Sequence, residues 1–234
     1  MKIELYTFTY NDIDLLPFFL HYYGPIVDKM TFIDSGSNDG SLSLLKDHRV
    51  VQTGLTWWDW DKLHWTRQNI WKSSEYDLVL FPDLDEFFYR PELRKFLEQN
   101  SFDIYQLEGY QMVSRNFPTK GSNILNINCG VRLPLYDKYT IFNPKADVRF
   151  PNAHRVETTS NNICRYQIKL LHYKFLGVDH MLKRAQEVQE RVPKNSYCQV
   201  IEGNILQKFS GFVKNRQEYK EEIENLIKEA KPII

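Results

Sequence analysis

Asp83, Asp85 and Glu86 lie close together just beyond the apolar run Leu78-Val79-Leu80-Phe81, separated from it only by Pro82. Three carboxylates at the end of a buried strand repel one another and must shed water, so the fold has to offset that cost. The usual partner is a hard divalent cation, Mg²⁺ or Mn²⁺, because carboxylate oxygens suit such ions. On an extended chain Asp83 and Asp85 point the same way and Leu84 turns back into the core. The plainer alternative is that the acids decorate a loop, since a bare Asp-x-Asp is common by chance. The buried run before the cluster and Phe87-Phe88 after it favour the metal reading.

Three further groups can carry chemistry. Asp34, followed by the polar turn Ser35 to Gly40, suits recognition of a nucleotide base or ribose; it also reads as a plain turn in which Asp39 caps a helix. Four of the five tryptophans crowd into Trp57-Trp58-Asp59-Trp60-Asp61 with His64, Trp65 and Arg67. This stretch reads equally well as an aromatic wall for a sugar or base and as a helix packing against a sheet. Arg67 is a candidate phosphate contact through its planar guanidinium. His154 and His172 are the downstream imidazoles. A lone histidine is more often structural, but if the acids hold a metal then a neutral imidazole can complete its shell. His172, at the end of an apolar strand pattern, is preferred over His154 in a polar loop. Lys174, Lys183 and Arg184 follow and could help hold a diphosphate.

The elements that must position these groups alternate. Lys2 to Thr9, Met30 to Ile33, Arg49 to Thr53 and Leu78 to Phe81 read as strands. Ile13 to Tyr23, Ser41 to Lys46 and Trp65 to Ser74 read as the helices between them, with Asn11 and Asp12 able to cap the first. Such alternation predicts βαβ units, a parallel sheet and helices on both faces. Ligands in these folds bind beyond the carboxyl ends of the strands, which brings Asn11, Asp34, Asp83 and Asp85 to one crevice. Phe102 to Val113, Ile124 to Tyr136 and Cys164 to Phe175 read as further strands, the first two antiparallel and partly at an edge. Asp179 to Arg191 reads as a helix capped by Asp179, and Arg216 to Lys231 as an amphipathic helix packing on the domain.

A chain of 234 residues suits one domain. Its 30 basic and 30 acidic residues give no net charge, which argues against general nucleic-acid binding. Cys129, Cys164 and Cys198 are odd in number and widely spaced, as expected in a reducing compartment. No secretory leader and no membrane-length apolar run is read, so the expected setting is cytoplasmic, with contact at the inner face of the membrane left open. No G-x-G-x-x-G, Walker-type loop or G-x-S-x-G elbow occurs.

Thr7 to Asp12 (TFTYND), Phe32 to Ser41 (FIDSGSNDGS) and Leu78 to Phe88 (LVLFPDLDEFF) together resemble the N-terminal half of glycosyltransferase family 2 enzymes. More narrowly they are similar to the bacterial branch with an Asp-x-Asp-Glu-Phe motif, itself similar to family 92 glycosyltransferases. His172 to Phe175 (HYKF) adds to the likeness. The resemblance covers roughly the first ninety residues well and the rest in patches. It implies a GT-A (Rossmann-like) fold of three α/β/α layers, a mostly parallel sheet and a small antiparallel and helical C-terminal part. It implies a nucleotide half over residues 1–100, an acceptor and metal-completing half over 101–200, and a helical extension over 201–234. It further implies a nucleotide-sugar donor and Mn²⁺ or Mg²⁺. By position, Phe8, Tyr10 and Asn11 line the nucleotide pocket, Asp34 holds the base, and Arg67 and Asn69 help hold the donor. Asp83 lies near the ribose or metal, Asp85 binds the metal directly, and His172 is a further ligand. The sequence has Phe8 where family 2 usually has proline, and the acceptor-side acid motif has no clear counterpart. Glu108, His154 and Glu157 are the candidate bases.

The expected activity is metal-dependent transfer of a sugar from a nucleotide diphosphate to a saccharide or lipid-linked saccharide acceptor, in surface polysaccharide synthesis. The rivals are a nucleotidyltransferase and a non-catalytic carbohydrate-binding protein on the same fold.

Overall fold

Residues 1–55, 59–152, 155–191 and 215–234 are described by the computed structural model. The first half follows the alternation: β1 (Ile3–Thr9), α1 (Leu16–Tyr23), β2 (Lys29–Asp34), α2 (Ser41–Leu44), β3 (Arg49–Gln52), α3 (Trp60–Asn69) and β4 (Leu78–Leu80). Then come β5 (Glu86–Tyr89), α4 (Leu93–Gln99), β6 (Ile104–Ser114), β7 (Cys129–Arg132), β8 (Ile141–Phe142) and the hairpin of β9 (Val148–Asn152) and β10 (Arg155–Thr158). The described chain closes with β11 (Ile163–Leu176), α5 (Val178–Arg191), α6 (Arg216–Glu229) and β12 (Lys231–Pro232).

The result is an α/β fold around one mixed sheet whose longest ladders are parallel. β4, β1, β2 and β3 lie side by side in parallel, with Thr9 opposite Asp34 and Leu5 opposite Leu80. β8 joins β4 to β6 by antiparallel pairing, and β11 runs parallel to β6 and antiparallel to β5. Alternate side chains of the central strands feed two cores. Ile3, Leu5, Phe32, Leu78 and Leu80 pack on one face with Phe19 and Tyr23 of α1 and Leu93 and Leu97 of α4. Tyr6, Ile33, Val79 and Phe81 pack on the other with Trp71, just past α3, and Phe150 of β9. A strand covered on both faces needs apolar residues at consecutive positions, which is why Leu78 to Phe81 is uninterrupted.

Three local expectations change. Asp12 does not cap α1 with its side chain; its carbonyl accepts from Leu15 and Leu16, and no side chain caps that helix. Ile124 to Tyr136 is not one strand: only Cys129–Arg132 is extended, between two short 3₁₀ turns, the second starting at Pro134, which cannot donate to a ladder. Asp179 lies in the first turn of α5, one residue inside its start. The amphipathic α6 does pack on the domain, with Tyr219 and Ile223 against Met181 and Ala185 of α5 and Phe175 of β11. Among the described residues, no helix is long and apolar enough to cross a membrane.

Candidate active site at the carboxyl ends of the parallel strands

Asp83 to Glu86 forms a turn rather than an extended run. The Glu86 N–H donates to the Asp83 carbonyl at 2.9 Å, and Glu86 Oε2 accepts from the Asp83 N–H at 3.0 Å. The turn gives the acids separate roles. Glu86 is fully buried and closes the turn, while Asp83 and Asp85 keep about a third of their surface (36% and 31%) and face the cleft. Leu84 packs into the core from within this turn. β5 is held by α1: the Tyr23 hydroxyl accepts from the Phe88 N–H and donates to the Glu86 carbonyl, both at 3.0 Å.

The chain supplies much of the charge that offsets these acids. Lys138, only 3% exposed, donates from Nζ to Asp83 Oδ2 at 2.8 Å and to Glu86. Arg67 of α3 donates to the other oxygen of Asp83, and its guanidinium lies 4.7 Å from the ring centre of Phe81 and 5.5 Å from that of Phe8. Burial raises the Asp83 pKa, but Lys138 and Arg67 outweigh it and hold the carboxyl far below its usual range. Burial lowers the Lys138 pKa, but Asp83 and Glu86 drive it well above the ordinary lysine value. Glu86 goes the other way: burial raises its pKa more than Lys138 lowers it.

Asp85 is different. Among the described residues no Lys or Arg forms an ion pair with it; its partner is His172 of β11, whose Nε2 lies 3.2 Å from Asp85 Oδ2. Burial pushes the Asp85 pKa up, and His172 more than reverses this. The two are brought together by the antiparallel ladder in which His172 stands opposite Glu86, and by the bond from the Tyr173 N–H to the Asp85 carbonyl at 2.7 Å. The Tyr136 ring lies against the imidazole, with centroids 4.2 Å apart and planes at 39°. Tyr136 can come this close because Gly109 of β6 lies beneath it: a Cβ at Gly109 would sit 2.4 Å from the Tyr136 carbonyl carbon.

The ends of β1 and β2 meet beside this cluster. Asn11, at φ 49°, lies in the left-handed region that asparagine tolerates. Its side chain exchanges two bonds with Asn38, and its N–H donates to Ser37 Oγ at 3.0 Å. Asp34 is fully buried, and its carboxylate accepts from the N–H groups of Gly36 and Ser37 and from the Ser37 hydroxyl, so it shapes its own loop. Asp39 accepts from the N–H and hydroxyl of Ser41, at the start of α2. Asp12 accepts from Thr9 and the Tyr10 N–H, and pairs at 3.1 Å with Arg184 of α5. Arg184 also donates to the carbonyls of Tyr10 and Asn11 and pairs with Glu187.

Asn11 and Asp34, at the ends of β1 and β2, and Arg67, Asp83, Asp85 and His172 therefore lie at one end of the sheet. Asn69 is not drawn in by any bond described: its side chain donates to the Trp65 carbonyl and accepts from Lys72, just past α3. Lys183 and Arg184, read as diphosphate contacts, are engaged by Asp14 and Asp12. Glu108 pairs with Arg132 at 3.4 Å, and Glu157 with Arg149 at 3.3 Å. His154, Trp57, Trp58 and Cys198 lie outside the described residues. In the aromatic stretch, Trp65 is 67% exposed; Trp71, just past α3, is buried. Cys129 and Cys164 are free thiols.

Lys138, Gln111, Tyr136 and Arg184 complete the site, and Lys138, Gln111 and Tyr136 drew no attention in the sequence. Gln111 looks like any polar residue of a strand that also carries Gln106 and Glu108, and Lys138 like any loop lysine.

No protein-family model matches this sequence, and no curated protein matches it. Among solved structures, the chain is similar to a protein described as a glucose-1-phosphate thymidylyltransferase from Bacillus anthracis, in complex with a sucrose. The two are 14% identical over 78% of this chain and 74% of that chain, with a TM-score of 0.28. So distant a likeness carries no functional argument.

The donor chemistry at Asp85 and His172 fits a divalent cation. Ligands about 2.1 Å from an octahedral Mg²⁺ sit roughly 3.0 Å apart along an edge, and the two side-chain atoms are 3.2 Å apart. Among the described residues, no group of three His, Cys, Asp or Glu side chains forms a protein-only site. An ion held here would take its remaining ligands from water and substrate oxygens, as Mg²⁺ commonly does with phosphates.

Proposed function

We propose that this protein is a metal-dependent glycosyltransferase of the GT-A type, moving a sugar from a nucleotide-diphosphate sugar to an acceptor glycan. The observation that carries the reading is the Asp85–His172 pair, an acid with no Lys or Arg ion pair among the described residues, set at the carboxyl ends of parallel strands. The three ordered motifs support it, since each ends a strand that faces this crevice.

Asp85 and His172 would hold Mn²⁺ or Mg²⁺, which when bound neutralises charge developing on the leaving diphosphate. Asp83 has both oxygens on cations, so its part is to fix Arg67 and Lys138 at the rim of the same pocket. Asn11, Ser37 and Asn38 form the stitched loop pair that would receive the nucleoside, with Asp34 setting that loop's shape. Phe8 stacks on Phe81 beneath Arg67 and walls the pocket on that side. Glu108, poised on Arg132, is the described candidate for deprotonating an acceptor hydroxyl in an inverting transfer.

The test is donor turnover. The protein is incubated with a panel of nucleotide sugars and Mn²⁺, with and without simple saccharides, and released nucleoside diphosphate is measured. Release that requires Mn²⁺ and disappears in Asp85→Asn supports the reading. Pyrophosphate release from a nucleoside triphosphate and a sugar phosphate would instead establish a nucleotidyltransferase. Saccharide binding with neither reaction would leave a binding protein.

A further inference from the structure

Gln111 of β6 is 3% exposed and stands opposite His172 in the parallel ladder of β6 and β11. Its Nε2 donates to the Met112 carbonyl at 3.0 Å and to the His172 carbonyl at 2.8 Å. A carboxamide nitrogen carries two hydrogens, and both are placed on groups that only accept. The amide therefore has one orientation, with Oε1 towards the imidazole, 2.8 Å from His172 Nδ1. A carbonyl oxygen cannot donate, so Nδ1 must carry the proton. In the neutral ring Nε2 is then a bare lone pair, aimed at Asp85 Oδ2 3.2 Å away. Two acceptors held face to face repel unless a proton or a metal cation lies between them. Tyr136 against the ring face and Gln111 at its edge keep the imidazole from turning away.

We propose that Gln111 is a positioning residue: it fixes His172 as the Nδ1–H tautomer, so that Nε2 offers its lone pair to a divalent cation shared with Asp85. This rests on the metal reading above and assigns the residue that makes the imidazole a ligand. Outer partners of metal-bound histidines commonly set the tautomer in this way, and losing one typically costs about 10- to 100-fold in metal affinity.

The experiment reads the tautomer itself and then the metal. Imidazole nitrogens are observed by NMR in protein labelled with ¹⁵N-histidine, at a pH where the ring is neutral, with His172 assigned by its loss in His172→Ala. The wild-type ring should carry its proton on Nδ1. Gln111→Leu should release the proton to Nε2, where Asp85 accepts it, and weaken Mn²⁺ binding in calorimetry about 10- to 100-fold. If Gln111→Leu does not fold, the wild-type tautomer still decides. A wild-type ring protonated at Nε2 overturns the proposal, as does Gln111→Leu with unchanged tautomer and affinity. An Nδ1–H ring in a wild-type protein that binds no Mn²⁺ overturns the metal-positioning role, and locates the failure in the metal reading rather than in the hydrogen-bond argument.

Discussion

Replacing Lys138 by methionine removes the cation that Glu86 and Asp83 share. Asp83 keeps Arg67 and a third of its surface, so most of the cost falls on Glu86, which is fully buried. A buried carboxylate without a partner takes up a proton rather than stay charged. The ceiling on the cost is thus the work of protonating Glu86 at the working pH. From its ordinary value of 4.5, that is about 4 kcal/mol at pH 7.5, at roughly 1.36 kcal/mol per pH unit. This lies within the ~3–5 kcal/mol seen when one partner of a buried pair is removed. The ceiling falls by about 1.4 kcal/mol for each unit the pH is lowered, because protonation becomes easier. Urea unfolding of wild type and Lys138→Met at pH 7.5 and pH 5.5 measures both quantities. The expected loss is about 3–4 kcal/mol at the higher pH and under about 1.5 kcal/mol at the lower. Adding Glu86→Gln to Lys138→Met should return most of the loss and flatten its pH dependence. A loss below about 1 kcal/mol at pH 7.5, or one independent of pH, would refute the assignment of Lys138 as the buried counter-charge.

Further outcomes follow from the same geometry. Gly109→Ala sets a methyl against the Tyr136 backbone, so the segment carrying Tyr136 and Lys138 must shift; the expected cost is about 1–3 kcal/mol by thermal unfolding, and an unchanged midpoint would contradict the close approach. His180 of α5 is pushed down to about 4, first by burial and then by Arg184. The unfolded chain therefore takes up the proton first, near 6.5, and this stabilisation, complete above that pH, is lost as pH falls towards 4. Unfolding free energies of wild type and His180→Gln between pH 7 and pH 4 should converge by up to about 3 kcal/mol; parallel curves would rule the effect out. Arg184→Met strands the buried Asp12 and releases the carbonyls of Tyr10 and Asn11. It should cost about 3 kcal/mol or more and speed amide exchange in the loop after β1, and unaltered exchange there would disprove the tie.

What the sequence made legible follows from the range of the forces involved. The strand Leu78 to Leu80, the convergence of Asn11, Asp34 and Asp85, and the long strand ending past His172 are written in local pattern. Continuous apolar runs, polar turns and alternation need no distant partner to be read. The extended reading of Asp83 and Asp85 gives way for a local reason: Asp83 and Glu86 bond to each other across a turn. Lys138 and Gln111 were illegible because their meaning lies in partners 52 and 61 positions away. No periodicity in β6 says which strand will lie beside it. The span Ile124 to Tyr136 carried strand-forming residues, but Pro134 and the approach of Tyr136 to Gly109 divided it. Asp34 shows the converse case, where the residue is found and its carboxylate is already engaged by its own loop.

The central claim is that Asp85 and His172 bind a divalent cation together with a nucleotide diphosphate. Calorimetric titration of UDP, GDP, CDP, ADP and dTDP into the protein, with Mn²⁺ and again with EDTA, tests it most directly. The account predicts that at least one of these binds with Mn²⁺, and that chelation, Asp85→Asn or His172→Ala each weakens binding at least about tenfold, with Asp85→Asn leaving the unfolding midpoint nearly unchanged. Binding of none of them, or binding indifferent to Mn²⁺ and to both substitutions, would contradict it.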